Sequence, residues 1–259
     1  MVEFVRKSKY TFEDFVSIVH LLRSPGGCPW DREQDHLSIR RNFLEEVYEC
    51  CEALDTDDEA LMREELGDVL MQVIFHADIE RDRGRFTLDD VCDEACKKLI
   101  FRHPNVFGDK TDKTWDDMKA LEKGQKTCTQ TLDAVARSLP SLWRAEKLMK
   151  KASKVGFVWT DSDCALSKLE EEIGELRTAV QENKGVKEEL GDVLFAAVCA
   201  AYMVGVDPEE ALHSTCEKFI KRFAAMEQSA TAQGCSLDAY TPAQQLSMWE
   251  DAKAAAYWE

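Results

Sequence analysis

The sequence predicts an all-α protein made of two tandem helical bundles, and three observations support this prediction. The chain has only 12 Gly and 6 Pro in 259 residues, which leaves little room for a turn-dense β fold. Apolar residues recur at helical spacing, and no strand pattern is present. The order of features in the first half returns in the second, so each half is expected to form a small bundle of four or five helices.

In the first half, the helices are separated by clear breaks. Thr11 and Thr87 are typical N-caps, the loop SPGGCPWD follows the first helix, and Pro104 stops the fourth. The predicted helices cover approximately residues 12–23, 37–54, 59–84, 89–103 and 115–123.

A polar, β-branched segment, GQKTCTQT, has no helical period and is predicted to be a linker. The expected organisation is therefore an N-terminal domain at 1–123, a linker at 124–137 and a C-terminal domain at 138–259. In the second domain, two helices flank the short turn QENKGVK. Asp207-Pro208 and Thr241-Pro242 begin two more, because each places a cap residue before proline at the first helical position.

The two halves repeat the same acidic pattern. The first pair of acids recurs after 126 residues (172 − 46) and the second pair after 124 (189 − 65), and the word EELGDVL occurs at both places. The acids are Glu46, Glu49, Glu65 and Asp68 in the first half, and Glu172, Glu175, Glu189 and Asp192 in the second. Such recurrence indicates an internal duplication.

Within each pair, residues at i and i+3 share a helix face, so antiparallel packing would bring the four carboxylates together. Asp192 opens the apolar run to Val206, so at least one acid is expected to approach a core, where an unpaired charge is costly. An all-oxygen ligand set suits Mg²⁺ or Mn²⁺. Any single pair is more often a solvated acidic face, and the recurrence favours the metal site.

Basic and aromatic residues follow the same repeat. Lys218 and Arg222 are four residues apart on one predicted helix face, as are Lys98 and Arg102. Alone, each pair is better explained as solubilising charge, but together with the acids it suits a nucleoside polyphosphate. Trp249 is a substrate-binding candidate, although large aromatics at helix starts are more often core anchors. His20 and His76 are interpreted as isolated histidines on apolar faces.

Composition limits the partners. A net charge of −17 argues against a nucleic-acid polymer or an anionic membrane, since both need a basic surface. The longest apolar run, 193–206, is too short to cross a bilayer. The ten cysteines form no C-x-x-C pair, and several, including Cys50, Cys199 and Cys216, are expected to be buried reduced thiols in a cytoplasmic protein.

Several words in order resemble the MazG family of nucleoside triphosphate pyrophosphohydrolases in its two-domain form. They are CPWDREQDH, FLEEVYE, REELGDVLMQVIFHA, FRHPNVFGD, KVGFVW, EEIGEL, EELGDVLFA and EKFIKRF. The resemblance covers nearly the whole chain and implies an all-α fold, Mg²⁺ dependence, cleavage of NTP to NMP and pyrophosphate, and usually a dimer.

The resemblance also assigns residues. It places metal ligands on the eight repeated acids, and phosphate-side cations on Lys168, Lys218 and Arg222. Asn42 stands where Lys168 falls in the first half, so the second half is the favoured catalytic site. The cation would offset triphosphate charge and activate a water, or one carboxylate would act as general base; the residues leave both open. The rival interpretations are a metal-storage bundle, which needs histidine ligands that are not repeated here, and a non-catalytic scaffold.

Overall fold

The structure, a computed structural model, describes residues 4–255, and every regular element in that range is helical. The all-α prediction is therefore confirmed. The chain divides into two compact units, Met1–Lys119 and Ala120–Glu259. In chain order, the α-helices are α1 (Phe12–Arg23), α2 (Pro29–Glu33), α3 (Arg40–Asp55), α4 (Glu59–Asp82), α5 (Leu88–Arg102), α6 (Pro104–Phe107), α7 (Trp115–Glu122), α8 (Cys128–Asp133), α9 (Ser141–Ser153), α10 (Ser162–Glu182), α11 (Val186–Val204), α12 (Pro208–Ala232) and α13 (Pro242–Ala255).

The first unit is organised around the antiparallel pair α3 and α4, with α1 packed on α4. Thr11 begins α1 with a capping box, since its hydroxyl accepts from the Asp14 amide while the Asp14 carboxylate accepts from the Thr11 amide. Apolar side chains of α1 and α4 and the start of α3 form one core, which comprises Val19, Ile39, Ile74, Phe75 and Ile79. This core fixes the helices that carry the first group of acids.

The second unit is organised around α10 and α11, which pack along their length, while α9 packs against α11 and α12. Its buried residues are mostly small, as Ala165, Ala179, Ala196 and Ala200 illustrate. Small side chains let helix backbones approach closely. The hairpin therefore holds the acids of α10 and α11 in a fixed register.

Left-handed residues close both hairpins. Asn183 at φ 50° and Gly185 at φ 73° turn the chain between α10 and α11. Asp57 at φ 52° does the same between α3 and α4, and the Asp58 carboxylate then accepts the amides of Ala60 and Leu61 to cap α4. In both hairpins, the second acid pair therefore comes within the first three turns of the returning helix.

The segment predicted to be an irregular linker contains α8. Thr127 and Gln130 form a capping box that starts this helix, and α8 packs on α9 within the second unit. The second predicted helix also differs, because it begins at Arg40 rather than near Leu37. The Asp35 carboxylate accepts the amides of Leu37 and Ser38 and holds that stretch in a turn.

Cysteine burial agrees with the prediction only in part. All ten cysteines are free, and Cys50 and Cys199 are buried, but Cys216 is exposed on α12. Between residues 4 and 255, no single helix has the length and apolarity to cross a membrane; only the bent pair α11 and α12, at 105°, meets both criteria jointly.

Candidate active site

The α10–α11 hairpin brings three of its four predicted acids together. Ligand oxygens of Glu172 on α10 and of Glu189 and Asp192 on α11 all lie within 4.8 Å of one another. Glu175 is not in this group. The charge of Glu172 raises the pKa of Glu175, with burial and the charge of Glu189 adding to the effect. The four predicted residues thus form one electrostatic unit.

The sequence predicts that at least one of these acids approaches a core, and Glu172 is buried. Asp192, which opens the apolar run, is not that acid, because its side chain is exposed. The reason is that α11 becomes buried only from Ala196 onward, whereas Leu194 and Phe195 remain exposed within the unit. The buried acid of this group therefore lies on α10 and not on α11.

The α3–α4 hairpin of the first unit also carries a group of acids, which is the first group in chain order. Ligand oxygens of Glu46 and Glu49 on α3 and of Glu65 on α4 lie within 4.8 Å of one another, while Asp68 lies outside the group. Burial is the largest cause of the raised pKa of Glu46, and the charges of Asp68, Glu49 and Glu65 add to it. Burial also raises the pKa of Glu65, again with contributions from Glu49 and Asp68. Asp68 therefore remains electrostatically coupled to the group.

Both groups suit a hard divalent cation. Their donors are carboxylate oxygens only, which favours Mg²⁺, Mn²⁺ or Ca²⁺ over zinc or copper. In the first group, the Oε2 atom of Glu65 is buried without a hydrogen-bond partner. An unpartnered buried carboxylate oxygen is costly, and a bound cation would satisfy it.

The predicted basic residues occupy two separate places. The Lys168 ammonium contacts the acids directly, at 2.8 Å from Glu172 Oε1. Lys218 is exposed on α12, and the Arg222 guanidinium lies 5.7 Å from the centre of the Trp249 ring. Among the described residues, no ion pair joins Lys218 or Arg222 to the acids.

Trp249 also has a structural contact, since its ring centre is 5.0 Å from that of Phe219. The first unit has a comparable arrangement, with the Arg102 guanidinium 5.1 Å from the Trp115 ring and the His103 ring 4.9 Å from it. The Nε atom of Arg222 is buried without a hydrogen-bond partner. This arginine therefore packs on the Trp249 ring, and its buried Nε donor is left unsatisfied.

A histidine network in the first unit corrects the prediction of isolated histidines. His76 Nδ1 lies 2.8 Å from His36 Nδ1, and His36 Nε2 lies 2.7 Å from Glu80 Oε1. This hydrogen bond is the main reason why the pKa of Glu80 falls to about 2, with Arg83 and Arg85 contributing. His20 is also paired, with its Nδ1 atom 3.4 Å from Asp78. Sequence spacing gave no sign of the network, because its members come from separate segments.

Two helical units, each with a set of three clustered carboxylates on a helix hairpin, define a class of all-α proteins suited to hold divalent cations. The family model of the MazG nucleotide pyrophosphohydrolase domain matches residues 34–107 and 162–225, so both hairpins fall within it. The chain belongs to the MazG family.

Similar proteins match along nearly the whole chain. The nucleoside triphosphate pyrophosphohydrolase/pyrophosphatase MazG of Thermotoga maritima is 42% identical over 252 residues, which cover 96% of this chain and 98% of that protein. The nucleoside triphosphate pyrophosphohydrolase of Escherichia coli K12 is 38% identical over 250 residues, covering 92% and 95% respectively. YabN of Bacillus subtilis is 41% identical over 94% of this chain and 52% of its own length.

Proposed function

We propose that this chain is a divalent-cation-dependent nucleoside triphosphate pyrophosphohydrolase that converts NTP and water to NMP and pyrophosphate and acts in nucleotide-pool house-cleaning. One observation carries the proposal: a chain of the MazG family presents a group of three carboxylates, with oxygen donors only, on each of two equivalent helix hairpins. The similar proteins of Thermotoga maritima and Escherichia coli are named for this activity. We place the activity in the cytoplasm, where the ten free thiols would stay reduced.

Mg²⁺ is the proposed ion, with Mn²⁺ as an alternative, and Glu172, Glu189 and Asp192 would hold it. When bound, such an ion supplies Lewis acidity and offsets the charge of the triphosphate. Glu175 lies beside this group without belonging to it. This position makes Glu175 our candidate for the general base that takes a proton from the attacking water. The equivalent acids of the first unit, Glu46, Glu49, Glu65 and Asp68, form a second proposed metal site.

The remaining predicted residues would bind the substrate. Lys168, Lys218 and Arg222 would contact phosphate oxygens, because charge-assisted hydrogen bonds to phosphate are among the strongest available in proteins. Trp249 would contribute an aromatic face for the nucleoside while packing against Phe219. The second unit is the proposed main catalytic site, because Asn42 replaces the lysine in the first.

A homodimer is part of the proposal. On the α10–α11 hairpin, Ile173, Val180, Leu190 and Leu194 remain substantially exposed within the unit. An apolar face of this kind is typical of an interface. We propose that a second copy of the chain covers it. The substrate is the free nucleotide, and no nucleic-acid polymer or membrane is proposed as a partner.

The deciding experiment is to measure the products from a panel of NTPs in EDTA and after Mg²⁺ or Mn²⁺ is restored. The expected result is metal-dependent release of NMP and pyrophosphate, with slower release by the matched variant Glu172→Gln. Undiminished turnover in chelator would show that the reaction does not need a metal ion. Release of orthophosphate and NDP would show that the enzyme cleaves the bond between the β- and γ-phosphates instead. Metal binding without turnover would favour a storage or scaffold protein.

A further inference from the structure

Lys168 lies beside the three carboxylates of the second unit, those of Glu172, Glu189 and Asp192. Its Nζ atom is 2.7 Å from Glu171 Oε1 and 2.8 Å from Glu172 Oε1, so the ammonium bridges the residues three and four positions further along α10. The side chain of Lys168 is 37% exposed, whereas that of Glu172 is only 11% exposed. The ammonium therefore touches, from the solvent side, one of the three carboxylates proposed to hold the ion.

The charge balance of the group depends on this contact. Three carboxylates with ligand oxygens within 4.8 Å of one another repel, and the ammonium offsets part of that repulsion. A divalent ion at the same carboxylates would offset it more strongly, but would itself be repelled by the ammonium beside Glu172. The lysine and the ion thus compete for one carboxylate.

We infer that Lys168 is a displaceable counter-charge, which neutralises Glu172 in the metal-free enzyme and turns to a phosphate oxygen when the ion and triphosphate arrive. This inference rests on the proposed function. A lysine suits the task, because it is a compact point charge on a flexible stem that can reorient. The triphosphate would supply the negative charge that the ammonium loses at Glu172.

The first unit provides an internal comparison. Asn42 stands at the matching position, and no ion pair within residues 4–255 reaches Glu46, Glu49 or Glu65. The first group thus offers oxygens to a cation without a resident ammonium. Only the second group couples cation binding to the release of a phosphate-binding side chain.

The test uses the full chain with Glu49→Gln and Glu65→Gln, which silence the first group so that one Mn²⁺ site remains. Mn²⁺ alone is titrated by electron paramagnetic resonance and calorimetry. The KM for the NTP turned over fastest is measured separately with Mg²⁺. The variants are Lys168→Met, Lys168→Arg and the control Lys184→Met, which removes the same charge from an exposed position in the α10–α11 turn.

Opposite effects on the two measurements are expected from Lys168→Met. Mn²⁺ should bind roughly tenfold more tightly, because the repulsion is gone, while KM for the NTP rises by roughly tenfold. Lys168→Arg should restore the weaker Mn²⁺ binding, and Lys184→Met should change neither quantity. Unchanged or weaker Mn²⁺ binding by Lys168→Met would overturn the inference while leaving the pyrophosphohydrolase proposal standing. An absence of both Mn²⁺ binding and NTP hydrolysis in the parent protein would overturn both.

Discussion

The packing role of Arg222 on α12 and its proposed phosphate-binding role can be separated by experiment. Arg222 packs over Trp249, with its guanidinium 5.7 Å from the ring centre, and its Nε donor is buried without a partner. Lost packing would reduce stability by about 0.5–1 kcal/mol, as expected for a partly exposed cation–π contact. A lost contact to phosphate would raise the activation barrier more, by roughly 1.5–3 kcal/mol, or about ten- to a hundredfold in kcat/KM.

We therefore predict that Arg222→Ala lowers kcat/KM by that amount and shifts the melting temperature only slightly. Lys221→Ala is the matched control, since Lys221 is the exposed neighbour on the same helix. Both quantities should be measured for both variants. A lowered melting temperature with unchanged kcat/KM would assign Arg222 a purely structural role.

The histidine network predicts acid sensitivity in the first unit. Burial and the neighbouring His36 lower the pKa of His76, so the folded state resists a proton that the unfolded state accepts. Stability should therefore fall as pH drops below the ordinary histidine value, and fall again as Glu80 is protonated on approach to its pKa of about 2. Glu80 also faces Arg83 and Arg85, which remain charged throughout this range.

We predict that melting temperature decreases from about pH 7.5 to about pH 5.5, and that His76→Gln flattens this dependence by removing the titrating group. His213→Gln is the control, because His213 is exposed on α12. Calorimetry over the pH series gives the slopes. Equal slopes for the wild type and His76→Gln would show that His76 does not carry the effect.

At the residue scale, local spacing predicted that the acids of each hairpin lie near one another, because i and i+3 positions share a face in any helix. Spacing did not predict that Glu175 and Asp68 lie outside their groups, since this depends on how the paired helices are rotated. Nor did it predict the contact of His36 with His76, which joins residues 40 positions apart. Contacts between distant segments are set by packing and are not encoded in a local pattern.

At the scale of elements, the turn between α10 and α11 sets the register of the candidate site. Gly185 has φ 73°, which a residue with a Cβ adopts at a cost of about 1–2 kcal/mol. Gly191, six residues later, lies inside α11 with open space around the position that a Cβ would occupy. Alanine at this position would lose less conformational entropy on folding than glycine, a difference of about 0.5–1 kcal/mol in stability.

Alanine substitutions at these two positions are therefore predicted to have opposite signs. Gly185→Ala should lower the free energy of unfolding, and Gly191→Ala should raise it, as measured by denaturant titration of each variant. Gly174→Ala offers a second helical control on α10, with equally open surroundings. A stabilising Gly185→Ala would contradict the role of the left-handed turn.

Helix starts were predictable wherever a cap residue preceded an amphipathic stretch. Thr11, Thr87 and Asp207 each cap the predicted helix, because their side-chain oxygens accept hydrogen bonds from backbone amides of its first turn. The helix α8 was missed, although Thr127 and Gln130 carry the same capping signal. At six residues it is too short to show a helical period. Local hydrogen bonding and contact with α9 stabilise it instead.

At the scale of the whole molecule, duplication was the strongest sequence signal, because two matching patterns constrain each other. The family match at both hairpins agrees with that signal. Burial was less predictable, as the exposed side chain of Asp192 at the start of the apolar run illustrates. An apolar helix can direct its apolar side chains either into its own unit or toward a partner, and the sequence pattern is the same in both cases.

The two units are predicted to be unequal in catalysis. Both present three carboxylates within 4.8 Å of one another, but among the residues that the structure describes an ammonium, that of Lys168, contacts the group of the second unit alone. The first has Asn42 there, so it lacks the charge that we propose binds phosphate in the second. A cation held in the first unit would therefore face a substrate bound less tightly and oriented less well.

Glu172→Gln and Glu46→Gln test this difference, since each keeps the side-chain shape and removes one ligand charge. Glu172→Gln should lower kcat by at least about tenfold, and Glu46→Gln by clearly less. Glu170→Gln, an exposed neighbour on α10, controls for the loss of acidic charge. The melting temperature of each variant is also measured, because it distinguishes a loss of catalysis from a loss of folding. If Glu46→Gln abolished hydrolysis while Glu172→Gln spared it, the main site would belong to the first unit, and the lysine could not be what distinguishes the two.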